Sequence, residues 1–432
     1  MSARAAASDR QPWARAGYRR WFLAVLVTAY MVNYMDRQLL SILMEPIKAD
    51  LLLADWQLGA LGGIAFALFY TTLGLPIARL ADRHSRVNII ALALAAWSIA
   101  TALCGAAANF VQLMLARIGV AVGESAATPP SYSLISDLYA PNERAGATGL
   151  LLVGPPLGIA LGLLLGGWIG DAMGWRAAFV IVGLPGLLLA LVVRFTLREP
   201  PRGFAEGRVN VAGEASTVSG VLRLLSSRRS FWAGAVAGGV ASFGGVALQL
   251  WLPSYLMRTF GYTLPQAGAT VAAVAALSGV AGTVIGGRIA DYWASRNRRG
   301  WMLVPCVTML LAAPCAVVAF TAGTVALAIG AVALVLVLFH MWPAPIYTAA
   351  QGMVGIRMRA VTAALLLFTT NIIGLGLGPP LVGLVSDLLH ARAAEHSLRL
   401  ALLCTAPVYL AAAGLFYLAS RSVLRDLERA PD

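Results

Sequence analysis

The chain has 432 residues, 59% of them hydrophobic and only 12% charged, with a mean hydropathy of +0.78. A soluble domain carries about twice that charged fraction, so this composition excludes a soluble fold and points to a polytopic membrane protein. The net charge of +13 and the pI near 10.2 imply a nucleic-acid partner only if the basic residues form a patch; they are spread over loops, and no nucleic-acid partner is expected.

Twelve apolar runs are long enough to span a bilayer, which takes about 20 residues as a helix. They fall at 20–44, 57–79, 87–107, 110–134, 146–170, 176–197, 230–257, 265–289, 301–321, 323–349, 360–386 and 398–420. Barrel-type alternation is missing, so helices are the expected spanning form. With twelve alternating segments, 25 of the 32 basic residues lie on one side. The other side holds only Lys48, Arg176, Arg258, Arg392 and Arg399, while Arg37 and Arg117 sit within the membrane. The positive-inside rule places both termini in the cytoplasm, in a membrane expected to be the bacterial inner membrane. The expected organisation is a tail at 1–19, a six-helix bundle at 20–197, a linker at 198–229 with a short interfacial helix near 217–226, a second bundle at 230–420, and a tail at 421–432.

Catalytic chemistry has no foothold. Lys48 is the only lysine and no glycine-rich loop precedes it, so a P-loop is absent. The four cysteines, Cys104, Cys306, Cys315 and Cys404, lie in apolar runs without metal-type spacing, and the histidines do not cluster. No metal, no cofactor and no enzyme activity are expected. No cleavable leader is evident in the first apolar run.

The informative residues are the charges inside the spans. Asp36 and Arg37 lie in the first, about 100° apart around the helix, so they face different partners. Arg117 and Glu124 lie in the fourth, seven residues and two turns apart, on one stripe. A charge in hydrocarbon costs roughly 2.5–3.5 kcal/mol and needs a partner or a wet cavity. An Asp36–Arg117 contact is feasible from their similar depths. Glu124 lies deeper and is the better proton carrier, since burial favours its neutral form and a nearby guanidinium its charged one. Movement of Arg117 would then switch its protonation; a static buried ion pair is the alternative. Tyr30, Asn33 and Tyr34 in the first span, Gln249 and Trp251 in the seventh, and Asn371 in the eleventh are candidate cavity residues. His340 is a candidate second proton carrier or a hydrogen-bonded packing residue.

The halves repeat each other in order. Ala78-Arg79-Leu80-Ala81-Asp82 matches Gly287-Arg288-Ile289-Ala290-Asp291, Arg144-Ala145 matches Arg359-Ala360, and Gly154-Pro155-Pro156-Leu157 matches Gly378-Pro379-Pro380-Leu381. A parallel six-plus-six repeat implies two bundles with a site near the midplane.

Ala78 to Arg86 resembles the cytoplasmic signature of the major facilitator superfamily, with Ala78 in place of the usual glycine. Asn33-Tyr34-Met35-Asp36-Arg37, Arg117 with Gly123-Glu124, and the run from Trp175 to Gly203 resemble its spinster-like branch, although organic-anion symporters share the first two patterns. The resemblance implies an all-α fold of twelve transmembrane helices in two pseudo-symmetric bundles, working by alternating access and driven by a proton gradient. It also implies a cytoplasmic latch of Asp82, Arg83, Arg86 and Arg144, with Arg288 and Asp291 as its second copy. An amphipathic anionic lipid, such as a lysophospholipid or sphingoid phosphate, is the expected solute, and a small carboxylate the alternative. Arg37 and Arg117 suit either head group. A monomer in contact with membrane lipids is expected. A sensor or scramblase-like protein remains a further reading, without an appended signalling domain to support it.

Overall fold

The computed structural model describes residues 12–206, 218–355 and 358–429, and among them every regular element is helical. Contacts divide the chain into two compact units. The described residues of the first are 12–40 and 72–206; those of the second are 41–71, 218–355 and 358–429. The expected first bundle also took in 41–71, residues that group with the second unit by their contacts.

In chain order, α1 (Ala16–Leu51) and α3 (Ile64–Arg83) each straddle the division, and α2 (Asp55–Gly62) joins them inside the second unit. The first unit continues with α4 (Arg86–Gly105), α5 (Phe110–Ser125), α6 (Thr128–Leu138), α7 (Pro141–Leu151) and α8 (Gly154–Thr196). Local signals set the starts. Ser85 accepts from the Asn88 amide at 3.3 Å before α4, and Asn109 accepts from Gln112 at 3.0 Å before α5. Gly174, at φ 85°, breaks α8 into two crossings where a side chain would be strained.

The second unit holds α9 (Val218–Ser226), the short helix expected in the linker, then α10 (Arg229–Phe260), α11 (Leu264–Arg296), α12 (Gly300–Thr321), α13 (Val325–His340), α14 (Pro343–Gly352), α15 (Arg359–Asn371), α16 (Gly378–Ala393), α17 (Ser397–Leu403) and α18 (Thr405–Glu428). A π-helical turn, Ile372–Leu377, links α15 to α16. Linker residues 207–217 and Arg357 lie outside the described residues.

Among the described residues, ten stretches are long and apolar enough to cross a membrane. One, Asn142–Thr196, spans 55 residues and is the pair of crossings broken at Gly174. Helix α1, interrupted by Asn33, Asp36 and Arg37, falls short of that apolarity yet runs for 36 residues. Twelve crossings result. Large apolar side chains such as Phe195 and Trp168 are exposed, as expected for helices whose solvent is lipid.

Glycines bring the helices together in matching places. A Cβ on Gly158 would lie 2.1 Å from the Met31 carbonyl oxygen, and one on Gly162 would lie 2.5 Å from that of Met35, so α8 touches the α1 backbone in the first unit. In the second, a Cβ on Gly378 would lie 2.6 Å from the Phe243 carbonyl oxygen of α10. The repeat seen in the sequence thus carries one packing device, close backbone approach of the first and fifth helices of each half.

Candidate functional site

In the first unit, α1, α4 and α5 bury a cluster of four charges. Asp36 and Glu124 are fully buried, Arg117 is nearly so, and Arg37 keeps 19% of its side chain exposed. The Arg37 Nε donates to Glu124 Oε2 at 2.6 Å, and its guanidinium lies 4.8 Å from the Tyr34 ring centroid. Tyr34 meets Tyr30 edge to face at 5.6 Å. Asp36 points elsewhere, accepting from Thr101 Oγ1 of α4 at 3.2 Å beside buried Trp97. The divergence of Asp36 and Arg37 is what a 100° step around a helix dictates. Arg117 stands within electrostatic reach of both Asp36 and Glu124, and Asn33, also buried, sits beside Glu124. The guanidinium that holds Glu124 is therefore that of Arg37, from another helix, and not only the Arg117 of its own stripe. Two acids and two guanidiniums share one buried region, and the set is neutral when all four are ionised.

The second unit holds a different set. Arg258 of α10 makes a bidentate pair with Asp55 at 2.7 and 2.8 Å and reaches Glu45 at 2.8 Å. Lys48 meets Asp55 at 2.5 Å, and Ser386 Oγ of α16 donates to Asp55 at 2.6 Å. Asp387 accepts the backbone N–H groups of Asp55 and Trp56 at 2.9 and 2.8 Å, capping α2 from outside. Backbone contact reinforces this clasp: a Cβ on Gly59 would lie 2.3 Å from the Pro379 carbonyl oxygen, and one on Gly383 would lie 2.4 Å from that of Asp55. Sequence reasoning missed the clasp. Its signal was the scarcity of charge on that side, where Lys48 and Arg258 are two of only five bases.

The remaining candidates scatter. Trp251 is fully buried and donates Nε1–H to the Pro379 carbonyl at 3.0 Å, a packing role. Gln249 is half-buried on α10, and Asn371 is half-buried where α15 meets the π-helical turn. His340 Nδ1 donates to the Leu336 carbonyl at 2.7 Å and packs edge-on against Phe339, so it is satisfied within its own helix.

At the basic end of the first unit, Arg86 is buried and pairs with Asp137 and with Glu199, the latter at 2.6 Å. Glu199 also accepts from Ser85 Oγ and the Val87 amide, both at 3.0 Å, so it caps α4. Arg144 donates to the Ser136 carbonyl at 2.7 Å, and Arg83 is exposed. The Asp82 side chain lies outside the described residues. Arg288 and Asp291 are exposed near the end of α11. The sequence singled out Arg86 but neither of its carboxylate partners.

The Major Facilitator Superfamily model matches residues 26–379. The chain is 34% identical over 431 residues to an MFS-type efflux pump of Mycolicibacterium smegmatis, covering 99% of each. It is 27% identical to the sphingosine-1-phosphate transporter SPNS2 of Danio rerio, covering 93% of this chain and 84% of that protein. Among solved structures, a bacterial homologue of the human lysosomal transporter spinster, inward-facing and unoccupied, is similar at a TM-score of 0.88 and 31% identity, covering 95% of this chain and 99% of that one.

Proposed function

Because this chain belongs to the major facilitator superfamily, and within it to the spinster-like transporters, we propose that it moves an amphipathic anionic solute across the membrane together with a proton. One observation carries this reading: the 2.6 Å Arg37–Glu124 pair set beside fully buried Asp36. Protonating Glu124 releases Arg37 and leaves the cluster one positive charge in excess. An anionic head group restores neutrality, so proton and anion bind together. Arg37 offers a planar fork suited to carboxylate or phosphate, and Tyr30 and Tyr34 give it a partly apolar flank.

The test is uptake into proteoliposomes under an imposed pH gradient, over lysophospholipids, sphingoid phosphates and sugar-derived carboxylates. An acid exterior should drive the anion inward, and Glu124→Gln should abolish the dependence on the gradient. Full gradient-driven accumulation by Glu124→Gln removes that residue from the proton path. The likeness to an efflux pump favours a second reading, in which proton and solute exclude each other; there the acid exterior drives the solute outward.

A further inference from the structure

We infer that the hairpin of α11 and α12 carries a site for the head group of an anionic diacyl phospholipid, separate from the transported solute. The two helices are joined by only Asn297, Arg298 and Arg299, and a surface cavity of about 250 Å³ opens there. Trp293, Arg296, Asn297, Gly300 and Leu303 line it.

Three arginines fall within four residues at this rim: Arg296, Arg298 and Arg299, all exposed. The Arg296 guanidinium lies 4.1 Å from the Tyr292 ring centroid, which fixes it over the surface. Asn297 Oδ1 takes the Arg299 amide at 3.0 Å, ordering the turn that presents the cations. Gly300 lets the start of α12 close onto the end of α11 beside the cavity, since a Cβ there would lie 2.7 Å from the Ala294 nitrogen and 2.8 Å from Trp293. Most of the cavity wall is apolar, which a free phosphate would not need.

The surroundings extend the same logic. Tyr292 and Trp293 are 54% and 39% exposed, amphipathic rings of the kind that settle at head-group level. Toward mid-membrane, Ile285 and Ile289 are exposed four residues apart on α11, with Tyr292 and Trp293 three and four residues beyond Ile289, so the four form an apolar track on one helix face. A head group in the notch leaves its acyl chains along that track. Arginines at the interface with an apolar wall behind them distinguish anionic from zwitterionic lipid by charge.

Native mass spectrometry of the full chain in detergent tests this, using phosphatidylglycerol, phosphatidylcholine of the same chains, and inorganic phosphate as competitor. Phosphatidylglycerol should be retained about tenfold more tightly than phosphatidylcholine, with phosphate unable to displace it. R296Q/R298Q/R299Q should erase that preference. R223Q/R421Q/R425Q, which removes equal charge from exposed positions on α9 and α18, should keep it. Equal retention of both lipids overturns the site, as does an unchanged R296Q/R298Q/R299Q protein. Equal loss in the control means a diffuse basic field only, and competition by phosphate means a head-group site without chains; either also overturns it.

Discussion

Arg258 and Asp55 meet through two parallel hydrogen bonds, Nη1 to Oδ2 at 2.7 Å and Nη2 to Oδ1 at 2.8 Å, across 203 positions of sequence. Asp55 is almost fully buried and 17% of the Arg258 side chain is exposed, so removing Arg258 leaves the desolvated carboxylate with Lys48 as its remaining cation. Arg258→Met should free the 41–71 segment to open locally at a cost of about 3 kcal/mol. The reading is hydrogen exchange over 41–71, which should accelerate more than a hundredfold while α18 is unchanged. In R258M/D55L the under-compensated carboxylate is gone, and protection should return in part.

Asp387 acts on the same segment by another route. Its two oxygens take the N–H groups of Asp55 and Trp56, which no α2 carbonyl can reach. Asp387→Asn keeps an acceptor but loses the favourable charge at a helix N-terminus, and should cost several tenths of a kcal/mol. Asp387→Ala loses both, and about 1 kcal/mol is expected. That order, read from melting temperatures in detergent, separates capping from Coulomb attraction; equal effects of the two would remove the capping role.

Much of the fold was legible in the sequence because hydrocarbon is a demanding solvent: twelve apolar runs and the arginine asymmetry outline the helices before any contact is known. The buried charges Asp36, Arg37, Arg117 and Glu124 stood out for the same reason. Which guanidinium meets which carboxylate did not, since Arg37–Glu124 joins residues 87 apart and depends on how α1 packs against α5. Asp55, Asp387, Asp137 and Glu199 were passed over because each lies near a span end, where acidic residues are ordinary. Their function is set by remote partners that no local pattern encodes.

Two glycines test the packing argument with opposite signs. Gly158 has the Met31 carbonyl oxygen where its Cβ would go, so Gly158→Ala should push α8 from α1 and cost about 1–3 kcal/mol. Gly149, in α7, has nothing within 4 Å, and Gly149→Ala should gain about 0.5–1 kcal/mol through helix propensity. Thermal unfolding in detergent checks both.

Glu199 offers a test of the basic end of the first unit. It binds Arg86 at 2.6 Å while capping α4 through Ser85 and Val87. Glu199→Ala should cost about 2–3 kcal/mol, because it removes a charge-assisted hydrogen bond and a cap together. Glu199→Gln, which retains an acceptor for the cap, should cost less than half of that. If the two variants melt together, the cap contributes nothing and only the charge matters.

The Arg37–Glu124 pair makes the sharpest demand. Arg37→Met leaves Glu124 buried within electrostatic reach of Asp36, and breaking such a pair costs about 3 kcal/mol. R37M/E124L removes both charges and should be nearer to wild type than R37M, a coupling of about 2 kcal/mol in a double-mutant cycle. The sign of the pH effect follows. A protonated Glu124 needs no cation, so the R37M deficit relative to wild type should shrink as pH falls, whereas that of R37M/E124L should lack this recovery. Melting temperatures of the four proteins across pH give the cycle at each point. A pH-independent R37M deficit would mean that Glu124 stays charged without Arg37, and the release of Arg37 on protonation would then have no basis.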